Sequence, residues 1–182
     1  SNFQNFDSEL EIISGQKNVV ELLEKISSVA ENKNADAVVF SYSDCPFMNK
    51  VLFDELIKTH FEYKAEYTFV EGYPLSLSPE VISKATIAIL LKLAKETAQN
   101  IGNSKVSRNC IFDLIKTDIN AFEIETVLAP VDWRLFRLSF NCAKKENFIA
   151  CKELYKKGIE GKSAAELSKI PLKETVNNKI II

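Results

Sequence analysis

The chain has 182 residues, of which 46% are apolar and 26% are charged, and its formal net charge is −2 at pH 7. A chain of this length and apolar content can bury a core of its own, so the composition argues against a disordered protein. The small net charge and the pI near 5.6 also argue against a general nucleic-acid-binding protein, which needs a clustered basic face to displace counterions from phosphates.

The first elements of the chain are predicted from apolar spacing. Residues 1–34 are expected to form a ragged entry and a first helix, because apolar side chains recur at helical spacing from Val19 to Ala30. The apolar run at 36–42 predicts a strand that is buried on both faces of a parallel sheet. A second helix is predicted from about residue 49 to 61.

The middle of the chain contains a strand and a loop rich in breakers. Residues 65–70 are β-branched and aromatic and predict a strand, and two prolines and a glycine in the following residues predict a loop. Ser78 is a favourable N-cap residue and Pro79 suits the first position of a helix. The pattern therefore predicts a buried helix from Glu80 to about Leu93 or Gln99.

The remainder of the chain continues the alternation of helices and strands. A short helix is predicted from Ser107 and a strand at 123–128, followed by a turn at 130–134, a strand at 135–140 and helices at 146–157 and 163–169. Strands that alternate with helices favour an α/β fold, here three α/β/α layers with a mostly parallel sheet.

The cysteines and the hydropathy indicate the setting of the protein. Its cysteines are Cys45, Cys110, Cys142 and Cys151, and none has CxxC spacing. The spacing therefore predicts neither a zinc site nor a disulfide framework, and reduced thiols in a cytoplasmic protein are expected. No apolar run approaches the roughly 20 residues needed to span a bilayer and no signal peptide is visible, so no membrane partner is expected.

Asp44 is the leading candidate for a functional residue. It follows the strand at 36–42, and in open α/β sheets ligands are held at the carboxyl ends of the strands. A carboxylate there can hold Mg²⁺ against the phosphates of a nucleotide, since this hard cation prefers oxygen ligands. The alternative is that Asp44 only caps the loop or the next helix, because aspartate is common in turns and caps.

Three further side chains each have a functional and a structural interpretation. His60 is the single histidine of the chain, and a packing histidine near a helix end is the expected role. Tyr73 could stack on a base or a sugar, or it could pack within a wall of the fold. Trp133 lies beside arginines and could join a phosphate site, although a core anchor next to solvated charges is the expected role.

Several segments resemble known proteins. The segment Ser43-Asp44-Cys45-Pro46-Phe47 resembles the strand-end "DxP" segment of the cytidylyltransferase-like and nucleotide-diphospho-sugar transferase group, whose fold is of the glycosyltransferase-A type. Residues 65–80 resemble the "AEYTFADGYP…GLAPEIL" run of the spiro-SPASM family. Residues 132–139 with Asn147-Phe148 resemble that family's "DLRLLRLSL…DTKRNF" stretch. The likeness covers about residues 35–157.

This resemblance implies a nucleotide-binding transferase domain with an altered site. It implies that Asp44 binds a metal, with Mg²⁺ as the cofactor, and that Tyr73, Glu80 and Arg137 contact a nucleotide or nucleotide-sugar substrate. The group also places a second metal-binding aspartate after a late strand, and alignment on Asn147-Phe148 puts Ala143 at that position. Because alanine offers no oxygen ligand, a degenerate site is expected. The group's glycine-rich signature is also missing before Asp44.

The resemblance also predicts how the chain is organised. In the spiro-SPASM family such a domain precedes a radical-SAM domain, whose CxxxCxxC motif holds an iron–sulfur cluster. That motif does not occur here, so no cluster is expected in this chain. Residues 1–182 are expected to be one domain of a longer protein, with the transferase-like core at 35–157 and a tail at 158–182 that leads to the radical-SAM domain.

Three functions are compatible with the sequence. The first is a degenerate transferase-like domain that binds a ligand or docks onto the radical-SAM domain. The second is an active Mg²⁺-dependent nucleotidyltransferase or glycosyltransferase that acts on a nucleotide and a sugar. The third is a structural or oligomerisation domain without a small-molecule site.

Overall fold

The structure, a computed structural model, describes residues 11–134 and 138–157. Helices and strands alternate along much of this part of the chain. The helices are α1 (Val19–Asn32), α2 (Lys50–Glu62), α3 (Lys84–Ile101), α4 (Cys110–Ile115) and α5 (Lys145–Lys156). The strands are β1 (Ala37–Phe40), β2 (Tyr67–Glu71), β3 (Glu80–Ser83) and β4 (Ile124–Leu128), and a 3-10 helix at Lys116–Ala121 follows α4.

The strands form one sheet in the order β1-β3-β2-β4. Strands β2 and β3 are antiparallel, with Tyr67 opposite Ile82 and Thr68 opposite Val81. Each of these four side chains is at most 1% exposed, so this pair of strands is buried on both faces. The sheet is therefore mixed, a detail that the prediction of a mostly parallel sheet did not include.

The predicted start of the long central helix is wrong by several residues. Residues 80–83 form β3, and α3 begins only at Lys84. Ser83 rather than Ser78 caps this helix, because its hydroxyl accepts a hydrogen bond from the Thr86 amide at 3.2 Å. A short apolar strand that runs directly into a helix has no breaker between them, so the sequence pattern reads as one element.

The prediction that the strand at 36–42 is buried on both faces is wrong: none of the residues of β1 is fully buried and Val39 is 37% exposed, because β1 is the outermost strand in the order β1-β3-β2-β4. The bounds of the other predicted elements agree with the structure to within a few residues, with two exceptions. The predicted strand at 135–140 is described only at 138–140, where Ser139 forms an isolated parallel bridge with Leu75. The predicted helix at 163–169 and the tail at 158–182 lie outside the described residues. Within the described ranges, no helix is both long enough and apolar enough to cross a membrane.

The contacts divide the chain into two compact units. The described residues of the first unit are 11–39, 60–68 and 81–125, and those of the second are 40–59, 69–80, 126–134 and 138–157. In the first unit α1 packs on α3, and the buried apolar side chains of these helices are Val19, Leu22, Leu23, Ile26, Ala30, Ile87, Leu90 and Ala94. Burying a leucine or isoleucine of this kind stabilises the fold by about 1.5–3 kcal/mol.

The second unit has its own apolar core. Phe47 and Phe140 meet edge to face with ring centroids 5.8 Å apart, and Tyr73 meets Trp133 in the same way at 5.4 Å. The buried members of this core are Phe47, Leu52, Leu77, Trp133, Phe140, Cys151 and Leu154. Its members come from the loop after β1, from α2, from the loop after β2 and from residues 133–154, so this core fixes those loops in place.

His60 is a packing residue, as the sequence predicts. It is 3% exposed, its Nδ1 lies 2.9 Å from the Thr68 hydroxyl, and its ring meets Phe61 edge to face. Burial lowers the pKa of His60, because the charged imidazolium loses its hydration.

We expect the lowered pKa of His60 to make folding pH-dependent. The unfolded chain binds the His60 proton more tightly than the folded protein does. The contribution of neutral His60 to the free energy of unfolding is therefore complete above the unfolded pKa of 6.5, and it is lost as the pH falls through and below that value. Urea unfolding at pH 7.5 and 5.5 should show wild type losing more stability on acidification than His60→Gln, which cannot titrate. Equal losses of stability in the two proteins would contradict a lowered pKa of His60 in the folded state.

Gly72 occupies a position that a larger residue would disturb. Its φ is +82°, and a Cβ built there would lie 3.0 Å from the Ala129 Cβ. Its carbonyl accepts a hydrogen bond from the Trp133 amide at 2.8 Å, so the turn after β2 is held against the residues that follow β4. Glycine is required here for both the backbone angle and the close approach.

We predict that Gly72→Ala destabilises the protein more than Gly102→Ala does. Gly102 also has a positive φ, +94°, but a Cβ there would meet nothing within 4 Å. Both variants carry backbone strain of about 1 kcal/mol or more, whereas only Gly72→Ala adds a collision with Ala129. Chemical denaturation of both variants measures the difference, and equal destabilisation would refute the close packing described at Gly72.

Candidate functional site

Asp44 lies in the loop between β1 and α2, as the sequence predicts. It is half-buried, its Oδ1 accepts a hydrogen bond from the Cys45 thiol at 3.8 Å, and its backbone oxygen accepts one from the Cys142 amide at 2.9 Å. The residue that caps α2 is Asn49, whose Oδ1 accepts from the Leu52 amide at 3.1 Å. Capping of α2 therefore does not account for an acidic residue at position 44.

Three segments of the second unit are joined by backbone hydrogen bonds, and we call them the loop cluster: residues 41–49, 72–79 and 138–144. The Asn49 amide donates to the Leu77 oxygen at 2.9 Å, which joins the first two segments. The Phe140 amide donates to the Leu75 oxygen at 2.9 Å and joins the second to the third. The bond from Cys142 to Asp44 closes the set, so all three segments meet near Asp44.

The side chain of Asn141 organises the loop cluster. It is 7% exposed, and its Nδ2 donates to the hydroxyls of Ser139 at 2.6 Å and Ser76 at 3.4 Å. Its Oδ1 accepts from the Ala143 amide at 3.2 Å and from the Asn147 side chain at 3.3 Å. Both donors and both lone pairs of this amide therefore have partners.

The loop after β2 has a backbone angle that depends on this network. Ser76 has a φ of +72°, which is uncommon for a residue other than glycine. Its hydroxyl accepts the bond from Asn141, and its neighbour Leu75 forms the parallel bridge to Ser139. These contacts hold Ser76 in its unusual conformation.

The other sequence-predicted site residues are placed as follows. Tyr73 is half-buried, and its ring packs on Trp133 at 5.4 Å, which favours the structural interpretation of the ring. Burial raises the pKa of the Tyr73 phenol, and the nearby charge of Glu55 raises it further. Glu80 is half-buried at the first position of β3. Arg137 lies outside the described residues.

Ala143, the residue aligned with the missing metal ligand, is exposed, and its amide donates to Asn141. Asn141 itself lies two residues after Ser139, which forms the isolated bridge with Leu75. Sequence reasoning passed over Asn141, because an asparagine in a turn usually satisfies its own loop. A signal was available, because Asn141 directly follows the predicted strand at 135–140.

An exposed ion cluster lies at the edge of the second unit. The Arg134 guanidinium contacts Glu71 Oε1 at 2.7 Å and Asp132 Oδ2 at 2.8 Å. Hydrogen bonds from Arg134 hold the pKa of the Asp132 carboxyl below its usual range. Because the guanidinium is engaged by two carboxylates, it is not poised for a phosphate. Its neighbour Trp133 is 6% exposed, which confirms the prediction of a core anchor.

Cysteines gather beside Asp44. Cys45 and Cys151 are buried and Cys142 is half-buried, and all of the cysteines are free thiols. Burial raises the pKa of Cys151 to about 12, and Cys142, Cys45 and Asp44 add to the shift. Among residues 11–134 and 138–157, no group of three or more histidine, cysteine or acidic side chains is arranged to hold a metal ion.

Known proteins resemble this chain over different lengths, and no family model matches it. The spore coat polysaccharide biosynthesis protein SpsF of Bacillus subtilis is 22% identical over 148 residues, which are 80% of this chain and 59% of SpsF. Two uncharacterised proteins of Treponema pallidum are 54% identical over 41 residues and 36% identical over 61 residues. These matches cover 22% and 34% of this chain.

The chain spans less than two thirds of each of these relatives, namely 59% of SpsF and 11% and 28% of the two Treponema proteins. Among solved structures, a cytidylyltransferase from Leptospira borgpetersenii matches with a TM-score of 0.69 and 13% identity, over 88% of this chain and 67% of that protein. This likeness confirms the predicted α/β fold of the nucleotide-diphospho-sugar transferase type. The similarity to SpsF over 80% of this chain is in line with that fold.

We predict that Asn141→Ala destabilises the protein by about 2–3 kcal/mol, because it leaves several buried polar groups without partners. Asn147→Ala is the matched control, since it removes an asparagine that is only half-buried and makes a single bond to Asn141. We expect the control to cost about 1 kcal/mol or less. Urea unfolding measures both, and equal losses would show that Asn141 does not organise the loop cluster.

Proposed function

We propose that this chain is a nucleotide-binding domain of the cytidylyltransferase type, with impaired catalysis, that serves a longer protein as a binding or docking module. The observation that supports this most strongly is the hydrogen bond from the Cys142 amide to the Asp44 oxygen at 2.9 Å. It brings the loop that carries Asp44 to the segment that carries Asn141. In this proposal the two metal-ligand positions lie in these two neighbouring segments, and only the first of them carries a carboxylate.

The donor set fits Mg²⁺ only when a nucleotide accompanies it. Mg²⁺ is commonly bound through one or two carboxylates together with substrate phosphates and water. Asp44 supplies one carboxylate, while the Asn141 oxygen already accepts two hydrogen bonds. Bound Mg²⁺ would neutralise charge on the phosphates. In this proposal Asp44 orients the metal–nucleotide complex, and the protein does not retain the metal without the nucleotide.

We assign the lost second carboxylate to Asn141 rather than to Ala143. Asn141 lies two residues after the bridged residue Ser139 and is held in place by four hydrogen bonds. A neutral amide cannot balance the charge that develops on the leaving pyrophosphate, and such a loss typically costs a few kcal/mol of transition-state stabilisation. Binding without efficient turnover is therefore the expected behaviour.

The remaining contacts and partners are part of the same proposal. The hydroxyl end of Tyr73, the carboxylate of Glu80 and the guanidinium of Arg137 are proposed to contact the nucleotide or its sugar. The spiro-SPASM resemblance supports a radical-SAM domain downstream in a cytoplasmic protein. An active sugar nucleotidyltransferase is the second candidate. It is favoured by the similarity to SpsF, a polysaccharide biosynthesis protein, over 80% of this chain.

Calorimetric titration with CTP tests the proposal. We expect the protein to bind CTP in the presence of Mg²⁺ and Asp44→Asn to weaken the affinity at least tenfold. Asp54→Asn is the matched control. Asp54 also lies in the second unit, but it is exposed and forms a surface ion pair with Lys50 at 2.7 Å. Such a pair contributes little to stability, so the control should bind like wild type.

A gain-of-function variant separates impaired catalysis from complete loss of the site. Asn141→Asp restores a second carboxylate, and its oxygens can still accept the bonds from Ala143 and Asn147. We expect it to tighten Mg²⁺-dependent CTP binding. Silence of the wild type towards CTP and other nucleoside triphosphates, or equal binding by Asp44→Asn and Asp54→Asn, would overturn the proposal and favour a purely structural domain.

A further inference from the structure

We propose that Cys142 and Cys151 form a redox-active thiol pair that a peroxide converts to an intrachain disulfide. The two residues belong to one group of neighbouring side chains, and Cys142 adds to the raised pKa of Cys151. Cys151 is 3% exposed on α5 and belongs to the core of the second unit, and Cys142 packs against the same core from residues 138–144. The Cys151 sulfur also lies 3.9 Å from the Asn141 oxygen, the carbonyl just before Cys142.

The contacts favour this pair over the other thiols. The Cys45 thiol donates to Asp44 Oδ1 at 3.8 Å, which directs its sulfur towards that carboxylate. Cys110 belongs to the first unit and is buried on α4. The contact between Cys151 and the residue next to Cys142 therefore makes these two cysteines the pair that we expect to bond.

The chemistry is complete with a peroxide as the oxidant. Cys142 is half-buried and so is the more accessible member of the pair. Its sulfur takes one peroxide oxygen and becomes a sulfenic acid, while the other oxygen leaves as water or an alcohol. The Cys151 thiol then loses its proton and its sulfur attacks the Cys142 sulfur, the S–O bond breaks, and the departing hydroxide takes up that proton as water. Because the pKa of Cys151 is about 12, this step is slow at neutral pH and faster in alkaline solution. Two thiols are oxidised, and two electrons pass to the peroxide.

The disulfide would change the loop cluster. The sulfurs must approach to about 2.05 Å, which draws residue 142 towards α5. The amide of that same residue donates to the Asp44 oxygen at 2.9 Å. We therefore expect oxidation to weaken nucleotide binding several-fold, a consequence that rests on the proposed function, whereas disulfide formation itself does not.

Peptide mapping tests disulfide formation directly. The protein is treated with hydrogen peroxide, the remaining thiols are alkylated, and a tryptic digest is analysed by mass spectrometry. The cysteines fall on separate peptides, because Lys and Arg residues lie between them: 34–50, 109–116, 138–144 and 146–152. We expect peptides 138–144 and 146–152 to be linked, and the link to disappear on reduction with dithiothreitol.

Serine variants identify the pair. Cys142→Ser and Cys151→Ser should each abolish the linked peptide, whereas the control Cys110→Ser should leave it unchanged. Linkage of peptide 34–50 to either partner, a disulfide between two chains, or oxidation of Cys142 to sulfinic acid without a link would overturn the proposal. The peptide map of the wild-type protein tests for the disulfide even if a serine variant folds poorly.

The reduced and oxidised proteins are then compared in the CTP titration. Binding by the reduced protein alone supports the link between the thiol pair and the site. Equal binding by both forms would refute that link while leaving the disulfide intact. Failure of the reduced protein to bind CTP would refute the proposed function and not the disulfide, because the peptide map needs no nucleotide.

Discussion

The candidate site depends on one backbone hydrogen bond, from the Cys142 amide to the Asp44 oxygen. Backbone groups that are buried must find partners, and here residues far apart in the sequence satisfy each other. The consequence is that the backbone of the loop that carries Asp44 meets the backbone of the segment that carries Asn141. Asn141 then ties that segment to the loop after β2 through Ser76.

Much of this arrangement could be predicted from the sequence, because the spacing of apolar residues along several helices and strands is a local property of the chain. The burial of Trp133, the packing role of His60 and the position of Asp44 after a strand all follow from residue type and context. The predicted start of α3 was wrong, because Val81 and Ile82 belong to a strand that pairs with Tyr67 and Thr68 of β2. A loop separates these two strands in the sequence. Register of that kind is not visible in one strand alone.

The site was harder to predict than the fold for the same reason. Asp44 could be found because its position follows from the strand before it. The role of Asn141 depends on four partners, some close in sequence and one, Ser76, far from it. Cys142 and Cys151 are close in sequence but lack the CxxC spacing that sequence reading recognises, and the contact of the Cys151 sulfur with the Asn141 oxygen is visible only in the structure.

The left-handed conformation of Ser76 has a consequence for how a ligand would be received. A serine adopts this angle at some cost in free energy, and the protein meets that cost when it folds, through the hydroxyl contact with Asn141. The segment is thus preorganised before any small molecule arrives. Association with a ligand would then require little loss of conformational entropy in the loop that carries Ser76.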